Sequence, residues 1–403
     1  MSRQIGWIVI GMAMLFCGAV QGQSLRWKVR PLALDTNEGV AIADFDADGR
    51  LDVSAGRNWF HNSDFVARPL RSFADVNGYA ASNGDFVYDV DEDGRMDVIA
   101  SGFFESTLVW FRNPGAEALR LGQQWESHVL VDTKNKENES QLFEDIDGDG
   151  IPEWIVNSWV AERPFLIWRF NRETQEFVVK EPGKPQHKVQ VPTLSQCTIG
   201  WTANGHGMAV GDLNGDGKKD LLVGKGWYES PQQDIFSQTW KYHADWDIQA
   251  SVPMLVMDVN RDGRHDIIVG QAHHYGLHWW EQLEPLDGKL QWEKHLIDNT
   301  VSQLHVLHLA DLTGDGRPEL ITGKRYFAHN GGDPGAREPL TMLYYEIDKE
   351  TASFQRHVIS KHDVGTGLQI KTGDIDANGF TDIAVAGKSG TYILFNQGFK
   401  QAN

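Results

Sequence analysis

A nine-residue acidic loop recurs seven times along this 403-residue chain, and repetition at that spacing limits the fold more than any other feature. The copies read DFDADGRLD, DVDEDGRMD, DIDGDGIPE, DLNGDGKKD, DVNRDGRHD, DLTGDGRPE and DIDANGFTD, starting 45 to 67 residues apart. Positions 1, 3, 5 and 9 carry oxygen-bearing side chains in every copy. These are Asp44, Asp46, Asp48 and Asp52; Asp89, Asp91, Asp93 and Asp97; Asp145, Asp147, Asp149 and Glu153; Asp212, Asn214, Asp216 and Asp220. The later copies supply Asp258, Asn260, Asp262 and Asp266; Asp311, Thr313, Asp315 and Glu319; Asp374, Asp376, Asn378 and Asp382. Position 6 is always Gly, which admits the positive φ of a sharp turn.

Such a loop wraps a hard cation. Oxygen ligands without His or Cys select calcium, and a flexible loop disfavours the tight octahedron of magnesium. An EF-hand is excluded, because that loop needs a Glu at position 12 and flanking helices, whereas LLVG, IIVG and LITG follow here as strand residues. The first three loops hold four carboxylates each and the last four hold three, so up to seven structural calcium sites are expected. Thr313 and Asn378 mark the sixth and seventh as the weakest. The formal net charge is −19, which argues against nucleic acid or an anionic membrane surface as partner.

Residues 1–22 have the pattern of an export signal: Arg3, the short apolar run IGWIVIGMAMLF and small residues before Gln23. The mature unit is expected to span residues 23–403 as one domain, in the periplasm or outside the cell, with no membrane span. Cys197 is the sole cysteine beyond the signal, so no intrachain disulfide is expected in the mature chain.

Around each loop the pattern repeats: an apolar strand before it, a second just after it, a third near WYES, HWWEQ or LTMLYYEI, and a fourth marked by an aromatic and often His, as at Trp125, Trp240, Trp292 and Phe354. Four antiparallel strands repeated seven times describe an all-β seven-bladed β-propeller. Residues 374–403 leave room for three strands, and LRWKVRPLAL near the start supplies the fourth, so the ends are expected to close the ring in one blade. The DxDxDGxxD loops followed by a short apolar strand and Gly resemble FG-GAP or VCBS-type repeats, found in integrin heads and in secreted bacterial proteins. That resemblance covers essentially the whole mature chain and implies architecture, not chemistry.

If the loops lie on one face, the start of each inner strand lies on the other. Six residues before each loop stand Glu38, Asn83, Glu139, His206, Val252, His305 and Leu368, a largely polar ring at the channel mouth. Beyond the second strands, at the same end, come Arg57, Lys225, Gln271, Lys324, Arg325 and Lys388, with His273, His274 and His329 on longer connections. Trp227 and Trp279 follow second strands and are expected to stack on sugar rings, whereas most of the other tryptophans are expected to fill space between blades. His128, His243, His295 and His357 recur at matching outer-strand positions and read as structural. With no tight spacing such as HExxH, the mouth is expected to be lined without a metal; a transition ion on His206, His305 and Glu139 is the open alternative.

The stretches HGMAVGDLNGDGKKDLLVGKGWYESP, GQAHHYGLHWWEQ and TGKRYFAHNGGDPG are similar to the propeller portion of aldos-2-ulose dehydratase/isomerase-like proteins. That similarity implies action on keto-sugars. Such β-elimination needs a base, an oxyanion stabiliser and an acid. The candidates are His206 or His305, then Lys324 or Arg325, then His274 or Glu139. The competing expectation is a lectin or adhesion-like propeller that holds glycan or protein at the same mouth.

Overall fold

The computed structural model describes residues 24–399 apart from 77, 81, 161, 182, 203 and 204; the expected export signal lies outside the described residues. Seven four-stranded antiparallel sheets form the ring, six of them running inner to outer in chain order. Blade one is Val40–Ala43, Asp52–Ala55, Asn58–Phe60 and Ala67–Pro69; blade two is Gly84–Tyr88, Asp97–Ser101, Thr107–Arg112 and Glu126–Asp132. Blade three has the longest outer hairpin, Phe165–Val179 with His187–Gly200, after Asn138–Glu144 and Glu153–Ser158. Blade four comprises Met208–Gly211, Asp220–Val223, Gly226–Glu229 and Lys241–His243, and blade five Leu255–Met257, Asp266–Gly270, Tyr275–Leu286 and Lys289–Ser302. Blade six is Leu307–Ala310, Glu319–Gly323, Thr341–Asp348 and Ser353–Lys361.

Blade seven closes the circle as expected. Ile370–Gly373, Asp382–Gly387 and Gly390–Phe399 are joined by Leu25–Ala33, whose Leu25 pairs with Phe399 and Ala33 with Thr391. The ends therefore share one sheet, and the edge of Gly390–Phe399 is covered.

The second strands, such as DVSA, DIIVG and ELITG, are buried along their whole length because each lies between two neighbouring blades. Outer strands alternate burial instead, as in Glu126–Asp132, since one side of them meets solvent. Between blades six and seven, Ile321, Met342 and Tyr344 pack with Ile383, Val385 and Leu394, and equivalent clusters fill the other seams. The fully buried Trp59, Trp110 and Trp154 each contribute on the order of 3 kcal/mol of burial to these seams.

The four outer-strand histidines are structural, as their recurrence suggested. Each faces the third-strand aromatic opposite it: His128 with Trp110, His243 with Trp227, His295 with Trp279 and His357 with Tyr344. The last three are stacked face to face, with ring centroids 4.2 to 4.5 Å apart. Trp227 and Trp279 are thereby committed to blade packing, away from the channel mouth.

Every acidic loop joins an inner strand to a second strand, with strand and not helix on either side. The position 1 carboxylate accepts backbone N–H groups from the turn, as when Asp44 takes Asp48 and Gly49 or Asp374 takes Asn378 and Gly379. The position 9 carboxylate has a second task that its place in the motif does not announce. In Asp52 one oxygen accepts the N–H of Phe45 and the other that of Asn62, stapling the loop to the third strand. Asp97, Asp220, Asp266 and Asp382 repeat the arrangement.

Candidate active site at the channel mouth

On the face opposite the acidic loops, inner-strand starts and second-strand ends converge. There a cavity of about 200 Å³ is lined by Glu38, Asn83, Phe103, Phe104, Glu139, Arg325, His329, Leu368 and Lys388. That volume suits a small ligand, nearer one ring than a drug-sized molecule. Seven of these residues were expected at the mouth: Glu38, Asn83, Glu139 and Leu368 because a fixed strand length places the residue six before each loop at the same height, and Arg325, His329 and Lys388 because they follow second strands at that end.

Arg325 organises the floor. Its Nε and Nη2 donate to the two oxygens of Glu38, both at 2.6 Å, and Nη1 donates to Glu139 at 3.1 Å. All three side chains are buried. Burial opposes the charge on Arg325, yet the two glutamates hold its pKa above the ordinary arginine value. Burial also works against the charge on Glu139, but His206, Arg325 and the Trp159 indole N–H bring its carboxyl down to about 2. At neutral pH His206 is uncharged, so Arg325 is the lasting cation there. Lys388 is pushed down to about 8, first by burial and then by the Arg325 charge.

Beside this network stand three buried histidines, His206, His273 and His305, with one ring nitrogen from each within 4.8 Å of the others. Two of the three are anchored through Nδ1: Asp333 lies 3.0 Å from Nδ1 of His273, and the Gln303 carbonyl 3.2 Å from Nδ1 of His305. Among the described residues, Nε2 of His273 and His305 and both nitrogens of His206 are buried without a hydrogen-bond partner. Burial holds His206 down at about 4 and His305 well below the ordinary value, so the rings are neutral and their lone pairs available. Glu139 Oε2 lies 3.8 Å from His206 Nε2. Neutral imidazoles with a second nitrogen fixed by a carboxylate or carbonyl, as in His273 and His305, are donors of a type that can hold a transition metal.

Asp333 also accepts at 3.0 Å from Nδ1 of His329, whose ring stacks on His273 at 4.3 Å. His329 and Asp333 lie on the connection after the second strand of blade six, where Phe327, His329 and Asn330 adopt left-handed backbone angles. Lys324 tethers that connection, its ammonium donating to Ser302 and to the Gly335 carbonyl.

Several expected site residues stand elsewhere. Lys324 is buried beneath the connection and does not line the cavity. His274 is exposed, and its neighbour His273 takes the inward place. Arg57 is bound to Asp35 and Asp75, Lys225 is exposed, and Gln271 bridges to Ala250 by its backbone. Val252 packs in a core cluster. Trp159, Phe103 and Phe104 are the aromatic groups at the site; Trp159 meets His206 edge to face at 4.8 Å.

Comparison with family models agrees with the repeat architecture. The FG-GAP-like repeat model matches residues 258–322 and the FG-GAP repeat model residues 204–233, so the chain carries FG-GAP repeats around its fourth to sixth loops. No curated protein matches the chain significantly. Among solved structures it is similar to BBS1N, crystallised in complex with ARL6DN, at 12% identity and TM-score 0.49 over 93% of this chain and 97% of that one. The V. cholerae biofilm matrix protein Bap1 is similar at 16% identity and TM-score 0.30, over 85% of this chain and 42% of that one.

Proposed function

We propose that this FG-GAP propeller is a metal-assisted carbon–oxygen lyase that removes water from a keto-sugar at the channel mouth. The observation that carries the reading is the His206, His273 and His305 cluster, with unpartnered inward nitrogens at the edge of a cavity lined by carboxylates, a lysine and a histidine. A transition ion on these three residues, when bound, would act as a Lewis acid toward a sugar carbonyl and hydroxyl.

The chain's own groups supply the rest. His329, whose Nδ1 lies 3.0 Å from Asp333, would carry a proton from the carbon next to the carbonyl to the departing hydroxyl. Lys388 adds a cation toward developing enolate charge. Arg325 is saturated by Glu38 and Glu139, so its part is to fix those carboxylates as hydroxyl acceptors. Phe103 and Phe104 offer apolar faces to the sugar ring.

The test combines metal analysis with turnover. Purified protein should contain a transition metal and convert 2-keto or 3-keto sugars to unsaturated products seen by ultraviolet absorbance. His206→Ala, His273→Ala and His305→Ala should each lose the metal and the absorbance change, while His274→Ala keeps both. Tight glycan binding with no product would favour the lectin alternative, which the exposed Trp201 and Tyr326 on the same face support. A protein with no affinity for zinc, manganese or iron would refute the metal assignment.

A further inference from the structure

One register position separates the blades. It is the third-strand residue beside position 9 of the loop, one step past the pairs Val53–Phe60, Val98–Phe111, Trp154–Trp168, Leu221–Tyr228, Ile267–Trp280, Leu320–Tyr345 and Ile383–Leu394. The residues there are His61, Arg112, Arg169, Glu229, Glu281, Glu346 and Phe395. Loops with four carboxylates thus face a basic side chain, whereas the fourth to sixth, with three, face a glutamate. In blade five that glutamate reaches the loop, with Asn260 donating to Glu281 at 3.0 Å.

Blade two shows the basic case most fully. The Arg112 Nε donates to Asp91 at 2.6 Å and Nη2 to Asp93 at 2.6 Å, engaging the carboxylates of loop positions 3 and 5. The same Nη2 lies 3.2 Å from Glu181, at the turn of blade three's long hairpin. The Arg112 side chain is 4% exposed and that of Asp91 1%. Arg95 pairs with Asp93 from the solvent side. A guanidinium keeps its charge at any working pH and its planar fork matches two carboxylates.

We propose that the second loop is not a calcium site and that Arg112 is its resident cation. Calcium in this loop needs Asp91 and Asp93 turned onto the ion. Each instead gives its Oδ2 to a buried guanidinium, Asp91 keeping Oδ1 buried without a partner among the described residues, and a divalent ion would have to share both carboxylates with a fixed positive charge. The acid-rich second loop is therefore locked by the chain itself and pinned through Glu181 to blade three. Counting carboxylates gave this loop a full set of four; the cross-strand partner engages two of them.

The experiment reads one loop in the full-length protein. Native mass spectrometry with added calcium should show one more bound ion in Arg112→Gln than in the wild type. Hydrogen exchange of residues 89–97 should be unchanged by calcium in the wild type and slowed in Arg112→Gln. If the variant folds and gains no ion, Arg112 is not the cation. Should Arg112→Gln fail to fold, the wild type decides: calcium-induced protection at 89–97 overturns the proposal, and protection at 258–266 without it at 89–97 supports it.

Discussion

Arg325 of blade six and Glu38 of blade one meet through two parallel contacts of 2.6 Å, although 287 residues separate them in the chain. With Glu139 of blade three on the remaining nitrogen, one guanidinium ties three blades across the mouth. Arg325→Met should strand two buried carboxylates and cost about 3–5 kcal/mol, the usual penalty for breaking a buried pair from one side. Urea unfolding measures this; a loss under about 1 kcal/mol would show the network to be solvated.

Lys324 tests the difference between tethering and chemistry. Lys324→Met removes the donors to Ser302 and Gly335, so amide exchange across 326–338 should quicken. Added zinc should still bind at the histidine cluster if the proposed metal site is correct. Loss of metal with unchanged exchange would instead put Lys324 in the site.

Tryptophan substitutions should divide by position. Trp227→Ala opens a void beside His243 and should cost about 3–5 kcal/mol with little effect on ligand affinity. Trp159→Phe keeps the packing but removes the N–H given to Glu139, so it should weaken ligand binding severalfold while leaving the melting temperature nearly unchanged. Calorimetry and ligand titration separate the two outcomes.

Cys197 is buried, and burial pushes its thiol up to about 11. At about pH 8 it is protonated and inaccessible, so iodoacetamide should leave the Cys197 peptide unlabelled until the protein is denatured. Rapid labelling of the native protein would mean that the seam between blades three and four opens readily.

The ring was legible in the sequence because its signals are local: Asp and Gly punctuate each loop, and short apolar runs follow at fixed distance. The same fixed distance placed Glu38, Asn83, Glu139, His206 and His305 at the mouth. What stayed hidden was direction within irregular connections. Lys324 and Arg325, or His273 and His274, are adjacent in sequence and turn opposite ways, and nothing local says which faces inward. Trp227 and Trp279 carried a usable signal, since each stands across the strand from a recurring histidine, and that pairing marks them as packing groups. Phe103 and Phe104 arrive on a connection with no repeat counterpart, and Arg112 acts through a register that only the folded sheet reveals.

The seam in blade seven has a mechanical consequence. Leu25 lies opposite Phe399, so both tails leave the sheet from the same corner. Tension applied between them would peel the two strands apart one bond after another, as a zip opens, instead of loading all the bonds together. The circle should therefore yield at low force there, and single-molecule pulling should record the release of Leu25–Ala33 before any other blade gives way.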